Sequence, residues 1–281
     1  MIDFHKNINI NESQVEEEVK NILQKGLGNY SEKDALRIIL NCIDLTTLEG
    51  ADTKDKVTAM CEKGLSYNQN GENIPNVAAI CVYPTFAHQV AEKLKNSGIK
   101  TACVAGAFPS GQSPLFVKLS EVKYAVDEGA EEIDMVISRG TFLEGNYQTI
   151  YDEIAAIKKC CGNAHLKVIL ETGELKTQTN ICIASDISIA AGADFIKTST
   201  GKILPAATEE AFYTMLLSIK SHYLATGKMI GIKPAGGISE PHQALNYFMI
   251  LNHILGEKWL NNKFFRIGAS RLADKIAEKI S

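Results

Sequence analysis

Short apolar segments alternate with longer amphipathic segments along most of the 281 residues. The apolar segments are rich in β-branched residues, whereas the segments between them carry apolar residues at helical spacing. Alternation of this kind is typical of parallel β/α architecture. Eight strands are predicted, at residues 40–45, 78–83, 100–106, 132–137, 166–171, 194–198, 229–233 and 264–268.

Each predicted strand is followed by a predicted helix. The helices are expected at residues 52–65, 84–97, 115–129, 147–161, 179–191, 208–225, 240–254 and 270–280. Eight strand–helix units favour closure into a barrel, because an open sheet of that size would leave long edge strands unpaired. We therefore predict an α/β fold with a single (β/α)8 TIM barrel.

Two further helices are predicted ahead of the first strand, at residues 11–28 and 31–39, with Ser31 as the N-cap of the second. They lie outside the repeating strand–helix pattern. We expect residues 1–38 to form an N-terminal helical extension packed on the barrel, and residues 39–281 to form the barrel itself.

Charge and apolar content limit the possible partners and location. Lys and Arg number 29 against 33 Asp and Glu, which gives a net charge of −4 and no basic stripe for nucleic acid. No apolar run approaches the ~20 residues that span a bilayer, and residues 1–6 do not resemble the start of a signal peptide. We therefore expect a cytoplasmic protein that binds neither nucleic acid nor a membrane.

The cysteines and histidines show no metal-binding pattern. The seven cysteines are odd in number and lack C-x-x-C spacing, so they are interpreted as buried thiols in a reducing compartment. The six histidines show no H-x-H or H-E-x-x-H spacing. No G-x-G-x-x-G follows a predicted strand, as a dinucleotide site would require. The chain is thus predicted to use neither a metal nor a nucleotide cofactor.

Polar residues cluster at the predicted carboxyl ends of the strands, where barrels of this kind place their chemistry. A buried charge without a partner costs several kcal/mol, so these residues are expected to face one another across a site. They are Asp44, Thr46, Asp134, Lys167, Glu171, Lys197, Thr198, Thr200 and Lys233.

Two of these residues, Lys197 and Lys233, indicate carbonyl chemistry. Lowering a lysine pKa from about 10.4 to about 7–8 takes roughly 3–5 kcal/mol, which partial burial and a second ammonium group can supply. Lys197 is the better candidate for an imine-forming nucleophile, because hydroxyl residues follow it in the chain, and Lys233 is then its electrostatic partner. Asp134 is the natural proton relay, and Asp44 either shares that role or orients a substrate hydroxyl.

Glycines after the last three predicted strands indicate a second feature of the site. Backbone N–H groups at such turns and at a helix start form an anion cradle, and barrels often bind phosphate after strands 7 and 8. A phosphorylated substrate is therefore predicted, although the same glycines would also suit tight turns. The residues concerned are Gly201, Lys202, Gly236, Gly237, Gly268 and Ser270.

Several ordered motifs in this chain resemble those of the deoxyribose-phosphate aldolase family. They are residues 44–48 (DLTTL), 79–84 (AICVYP), 108–111 (FPSG), 132–136 (EIDMV) and 166–175 (LKVILETGEL), followed by the segments around Lys197, Lys233 and Gly268. Members of that family are class I, metal-free, Schiff-base aldolases on a (β/α)8 barrel. The resemblance implies reversible cleavage of 2-deoxy-D-ribose 5-phosphate to acetaldehyde and D-glyceraldehyde 3-phosphate, without a cofactor.

The resemblance also implies roles for individual residues. Lys197 is the Schiff-base lysine, Lys233 perturbs its pKa, and Asp134 transfers protons in a network that includes Asp44. A phosphorylated sugar and further copies of the chain, in a homo-oligomeric dimer or tetramer, are the implied partners. The predicted substrate-binding residues are Thr46, Thr200, Gly201, Lys202, Gly236, Gly237, Gly268 and Ser270.

Two departures from the family pattern affect these expectations. The chain ends at Ser281 without the terminal tyrosine that assists proton transfer in some members, so the proton route is expected to use Asp134, Lys167 and water. Arg271 stands where a small residue is common. Two alternatives stay open: a related class I aldolase for another phosphorylated sugar, and a non-catalytic barrel that binds a sugar phosphate.

Overall fold

Eight parallel strands form the centre of the computed structural model, which describes residues 10–69, 71 and 73–281. The strands are β1 (Ile43–Thr46), β2 (Ala79–Val82), β3 (Lys100–Ala105), β4 (Glu132–Val136), β5 (His165–Ile169), β6 (Phe195–Lys197), β7 (Gly231–Lys233) and β8 (Ile267–Ala269). Consecutive strands pair from β1 to β7, and β8 pairs with β1. Bridges from Ile232 to Phe265 and from Ala235 to Gly268 join β7 to the β8 segment, so the sheet closes into a barrel.

Helices surround the barrel and connect its strands. Within the described residues they are α1 (Glu12–Gln24), α2 (Glu32–Asn41), α3 (Lys54–Ser66), α4 (Ala87–Lys93), α5 (Leu115–Asp127), α6 (Arg139–Leu143), α7 (Tyr147–Cys160), α8 (Thr172–Leu175), α9 (Gln178–Ala190), α10 (Glu209–Thr226), α11 (Pro241–Leu255) and α12 (Leu272–Ile280). The predicted (β/α)8 barrel with additional N-terminal helices is confirmed. None of the helices in this part of the chain has both the length and the apolar character needed to cross a membrane.

Some element boundaries differ from the prediction, and β1 shows why. The strand predicted at 40–45 starts at Ile43 instead, because Leu40 is still part of the buried apolar face of α2. Helices α6 and α8 were not predicted at all. They follow β4 and β5 at the carboxyl ends of the strands, and helices this short carry too few residues to show a helical period.

The two N-terminal helices pack on the last helices of the barrel. Ser31 caps α2 as predicted, since its Oγ accepts a hydrogen bond from Asp34 N at 3.1 Å. Helix α1 contacts α10 and α11, and its residues Val15 and Val19 are buried. The start of the predicted extension, residues 1–9, lies outside the described residues, as does the segment that was compared with a signal peptide.

The apolar core has two parts. The larger part lies between the barrel and its helices, and a smaller part lies in the barrel lumen. Side chains alternate between these two regions along each strand. The lumen residues contributed by β2 and β3 are mostly small, so they leave volume for long side chains from the other strands. The lumen part consists of Leu48, Ala79, Cys81, Ala102, Val104, Phe108, Val136 and Ile169.

Candidate active site

Seven charged side chains of the described part of the chain share the lumen with this small apolar group. Each of them is at most 4% exposed. Alternation with a period of two places both Glu132 and Asp134 on the inward face of β4. We call the seven the lumen charge cluster: the acids are Asp44, Glu132 and Asp134, and the bases are Lys167, Lys197, Lys233 and Arg266.

A cavity of about 550 Å³ lies at the carboxyl ends of the strands. Of the seven cluster members, only Lys197 lines this cavity, while Lys233, Asp134, Asp44 and Lys167 are buried outside its wall. The structure therefore brings the predicted nucleophile and all of the predicted substrate-binding residues to one place. Those binding residues are Thr46, Thr200, Gly201, Lys202, Gly236, Gly237, Gly268 and Ser270.

One carboxylate oxygen joins the two lysines that sequence analysis paired. Asp134 Oδ2 accepts hydrogen bonds from Lys197 Nζ and from Lys233 Nζ, each at 2.7 Å. The lysines are partners in register across β6 and β7, and Asp134 reaches them from β4. Two ammonium groups on one oxygen would repel each other, so this arrangement favours one neutral amine.

The two lysines differ in their tendency to hold a proton. Burial lowers the pKa of Lys197, Asp134 opposes that shift, and the ammonium group of Lys233 lowers the pKa further. Burial also disfavours the charge on Lys233, but Asp134 and Asp44 raise its pKa above the usual range. Among the described residues Asp134 is the one carboxylate paired with Lys197, whereas Lys233 also donates to Asp44 Oδ2 at 2.6 Å. Lys197 is therefore the amine that is more easily deprotonated.

Lys167 occupies the other side of Asp134. Its Nζ donates to Asp134 Oδ1 at 3.0 Å and to Glu132. Burial alone would raise the pKa of Asp134, but the ammonium groups of Lys167, Lys197 and Lys233 hold that pKa well below its usual range. Asp134 is therefore ionised at neutral pH, as a proton acceptor must be.

Asp44 is buried, and both of its carboxylate oxygens are engaged. Oδ1 accepts a hydrogen bond from Arg266 Nη1 at 2.7 Å, and Oδ2 accepts one from Lys233 Nζ at 2.6 Å. Burial alone would raise the pKa of Asp44, yet Lys233, Lys167 and Arg266 lower it. A place in the proton network fits this geometry. Direct contact with a substrate hydroxyl does not, because Asp44 is absent from the cavity wall.

One part of the cavity wall has the features of an anion site. Gly201, Gly236 and Gly237 have φ values of 79°, 88° and 81°, a region that favours glycine. A Cβ on Gly236 would lie 2.7 Å from Ala206 Cβ, so the close approach of these loops depends on glycine. Turns of this kind present backbone N–H groups, and nearby cations add to the attraction for phosphate. The cations on the wall besides Lys197 are Lys56, Lys202 and Arg271.

Sequence analysis missed the contribution of two members of the lumen charge cluster. Arg266 lies two residues before Gly268, and Glu132 lies two residues before Asp134. Since side chains two apart on a strand share a face, this spacing from predicted site residues was the signal that could have identified both.

Glu171, which was noted at a strand end but given no role, holds the loop that carries Thr200. It is buried with a φ of 56°, and it accepts hydrogen bonds from Thr200 N at 3.1 Å and from Thr200 Oγ1. Burial raises the pKa of Glu171, although the contacts with Thr200 and Arg139 act in the opposite direction. Arg139 donates to Glu171 Oε2 at 3.2 Å and to the carbonyl oxygens of Pro109 and Ser110. Arg139 thus ties together the loops after β3, β4 and β5.

The other candidate nucleophile in the lumen is a thiol. Burial raises the pKa of Cys81 to about 11, so the thiol is protonated at neutral pH and is a poor nucleophile. No group of three or more His, Cys, Asp or Glu side chains in the described part of the chain is arranged to hold a metal ion. Lys197 is therefore the nucleophile that this geometry favours.

Comparison with known proteins identifies the family of this chain. A family model for DeoC/LacD family aldolases matches residues 38–246. The deoxyribose-phosphate aldolase of Homo sapiens is 43% identical over 249 residues, which cover 85% of this chain and 78% of the human protein. The Bos taurus protein of the same name is 42% identical over 252 residues, which cover 86% of this chain and 79% of its own.

A solved structure supports the same assignment. The tetrameric deoxyribose phosphate aldolase from Aeropyrum pernix is 27% identical and has a TM-score of 0.71. The match covers 92% of this chain and 97% of the archaeal one. In both sequence and fold, the chain belongs to the DeoC/LacD family of aldolases.

Proposed function

We propose that this protein is a class I aldolase that reversibly cleaves 2-deoxy-D-ribose 5-phosphate to acetaldehyde and D-glyceraldehyde 3-phosphate. One observation carries the proposal. Lys197 is the one member of the lumen charge cluster that lines the cavity, and it shares Asp134 Oδ2 with the ammonium group of Lys233. A lysine held in this way is available as a neutral amine that can form an imine. The names of the human and bovine relatives support the choice of substrate.

Lys197 forms the covalent intermediates of the reaction. Its neutral amine attacks C1 of the open-chain sugar, and the carbinolamine loses water to give an iminium ion. Removal of the C3 hydroxyl proton breaks the C2–C3 bond, releases D-glyceraldehyde 3-phosphate and leaves the electron pair in an enamine on Lys197. Protonation at C2 and hydrolysis then release acetaldehyde and restore the amine.

The neighbouring groups move protons and hold the phosphate. Asp134 accepts and returns protons beside Lys197, with Lys167 and water completing the route, and Lys233 remains a cation that disfavours a second charge on Lys197. The glycine turns around Gly201 and Gly236 bind the phosphate, together with nearby cations on the cavity wall.

Trapping of the imine tests the proposal. Borohydride reduction in the presence of 2-deoxy-D-ribose 5-phosphate is expected to leave a stable adduct on Lys197, found by peptide mapping. Lys197→Met should abolish the adduct and lower kcat/KM for cleavage at least about a thousandfold, because Lys197 is the member of the lumen charge cluster that lines the cavity. Lys158→Met is the matched control, since Lys158 pairs with Asp194 outside the lumen charge cluster. An adduct on another lysine, with activity retained in Lys197→Met, would contradict the assignment.

The same assay separates the two alternatives. A related aldolase for another phosphorylated sugar would cleave that sugar, for example a ketose phosphate, as well as or better than 2-deoxy-D-ribose 5-phosphate. A non-catalytic barrel would bind the sugar phosphate tightly in a folded sample and would give no trapped imine.

The proposal also includes the organisation and location of the protein. The proposed N-terminal extension is residues 1–38, of which the structure describes residues 10–38, and the proposed catalytic barrel is residues 39–281. A homo-oligomer, either a dimer or a tetramer, is supported by the tetramer described for the Aeropyrum pernix relative. Light scattering of the purified chain measures the oligomeric state.

A cytoplasmic location is supported by seven cysteines that form no disulfide.

A further inference from the structure

Arg266 is fully engaged inside the barrel although it does not line the cavity. Its Nη1 donates to Asp44 Oδ1 at 2.7 Å and to Glu132 Oε2 at 3.0 Å, and its Nη2 donates to Glu132 Oε1 at 2.7 Å. Its Nε donates to the carbonyl oxygen of Asn262, so the guanidinium is held from three directions. A planar fork bound in this way cannot be replaced by a lysine without loss of hydrogen bonds.

The charges of the lumen are connected in a continuous network from Arg266 to Lys197. Arg266 binds Asp44 and Glu132, and Lys167 binds Glu132 and Asp134. Lys233 bridges Asp44 Oδ2 and Asp134 Oδ2, and Lys197 shares the latter oxygen. A change of charge at Arg266 therefore alters which cations are left to neutralise Asp134.

The numbers of acidic and basic groups in the lumen indicate which member of the network is neutral. Three carboxylates in the lumen face four basic groups, so the charges balance when one basic group is neutral. Lys197 is the member with the fewest anionic partners and with access to the cavity. If Arg266 lost its charge, the three carboxylates would face only Lys167 and Lys233, and a proton on Lys197 would restore the balance. Buried carboxylates without counter-charges are costly, which favours that protonation.

We propose that Arg266 and Glu132 are a positioning pair whose balanced charges keep Lys197 unprotonated and able to react at neutral pH. This inference rests on the proposed function in one respect, because it assigns importance to the amine of Lys197. Neither Arg266 nor Glu132 touches the substrate. They act through Asp44, Lys167 and Lys233, and their effect is on the pH at which Lys197 gains a proton.

The titratable and charged groups around Lys197 and its partners come from nearly every strand. Asp44 comes from β1, Cys81 from β2, Glu132 and Asp134 from β4, Lys167 from β5 and Lys233 from β7, while Arg266 directly precedes β8. The lumen residues of β3, Ala102 and Val104, are apolar. Because the thiol of Cys81 stays protonated, the balance at neutral pH depends on the carboxylates and cations alone.

Variants that remove one charge at a time test the inference. Arg266→Met removes a cation, Glu132→Gln removes an anion, and the double variant removes both. The reactivity of Lys197 is measured against pH by reductive methylation with formaldehyde and cyanoborohydride, followed by peptide mapping, which requires no sugar substrate. The pH dependence of kcat/KM for cleavage is measured in parallel.

The expected shifts have opposite signs. Loss of a cation favours the ammonium form of Lys197, so Arg266→Met should move the low-pH limb of both profiles upward by roughly one pH unit. Glu132→Gln removes an anion and should therefore move the same limb downward. In the double variant, the low-pH limb should lie close to that of the unmodified protein. Glu153→Gln is the matched control, because Glu153 is a buried acid paired with Lys118 outside the lumen, and it should shift neither profile.

A purely structural role for the pair predicts a different result. Both single variants would then lose activity by a constant factor at every pH, and unshifted profiles would overturn the inference. If Arg266→Met does not fold, the pH profiles of Glu132→Gln test the inference alone. A purely structural defect would not move their low-pH limb downward. Failure to trap any imine on Lys197 of the unmodified protein would remove the proposed function, whereas the methylation profile would still report on the charge balance.

Discussion

At the scale of single residues, the main finding is that two lysines on adjacent strands have different electrostatic surroundings. Lys197 and Lys233 lie in register and donate to the same oxygen of Asp134. The difference comes from Asp44, which gives Lys233 a second anionic partner. We propose that these identical side chains act as a nucleophile and as a lasting cation because their counter-charges differ.

Replacement of Lys233 by methionine should convert Lys197 from the neutral amine to the ammonium form at neutral pH. Without the neighbouring ammonium group, Asp134 stabilises a proton on Lys197, and the pKa of Lys197 rises. Because imine formation needs the neutral amine, the trapping rate at pH 7 should fall about tenfold or more and recover as the pH rises through the new pKa. The measurement is the rate of borohydride trapping as a function of pH.

A suitable control for Lys233→Met is Lys118→Met. Lys118 is also fully buried and paired with an acid, Glu153, but it lies outside the lumen. It should lose stability without any change in the pH profile of trapping. An equal loss of rate at every pH in Lys233→Met would show that Lys233 does not act through the pKa of Lys197.

At the scale of elements, the loops after the strands are held by a few buried polar contacts. Glu171 follows β5 in a left-handed conformation and binds both the backbone and the hydroxyl of Thr200. The hydroxyl oxygen of Thr200 in turn accepts a hydrogen bond from Lys202 N at 3.1 Å. One carboxylate therefore orients the turn after β6 that forms part of the cavity wall.

The variant Glu171→Gln should weaken substrate binding more than it slows the chemistry. Glutamine has an NH2 group in place of one carboxylate oxygen of Glu171. That group would face a hydrogen-bond donor instead of accepting from it, so the turn that contains Thr200 would shift. Loss of one charged hydrogen bond is worth about 1.5–3 kcal/mol, which predicts a rise in KM of roughly tenfold or more. We expect kcat to change less than about threefold, because Lys197 does not contact Glu171.

Steady-state kinetics with the phosphorylated sugar provide the measurement for Glu171→Gln. Glu174→Gln is the control, since Glu174 pairs with the same Arg139 but is 44% exposed and has no hydrogen bond to Thr200 among the described contacts. A loss confined to kcat would argue against a role for Glu171 in shaping the binding turn.

At the scale of the whole molecule, the N-terminal helices contribute to stability at a distance from the site. Helix α1 contacts α10 and α11, and the cavity is lined by other parts of the chain. A hydrogen bond to α9 adds to this packing, since Gln178 N donates to the side-chain Oε1 of Glu12 at 2.8 Å. The helical extension and the active site are thus expected to respond separately to mutation.

The variant Val19→Ala should lower the free energy of unfolding by about 1–3 kcal/mol and leave kcat/KM unchanged, because it removes buried methyl groups without altering the cavity. Denaturant unfolding and cleavage assays on the same sample measure the two effects. Val117→Ala is the control, since Val117 is 41% exposed and should cost little. A fall in kcat/KM for Val19→Ala would show that α1 is coupled to the site.

Much of the fold and of the site followed from local sequence. Short apolar segments rich in β-branched residues, alternating with amphipathic segments, identified the eight strands, and the carboxyl ends of those strands contained the lysines and glycines that line or underlie the cavity. The roles of Glu171 and Arg266 were not predicted. Their contacts join residues far apart in the chain, such as Arg266 with Asp44, and no local pattern encodes such a pairing.

The sequence by itself determined the barrel, because strand and helix periods are properties of neighbouring residues. It also determined which residue types stand at the ends of the strands. The sequence already favoured Lys197 as the nucleophile, but only the tertiary structure gives the electrostatic reason why Lys197 loses its proton more easily than Lys233. That outcome depends on the positions of Asp44, Asp134 and Arg266, and electrostatic interactions in a buried lumen are set by distance and burial, which closure of the barrel creates.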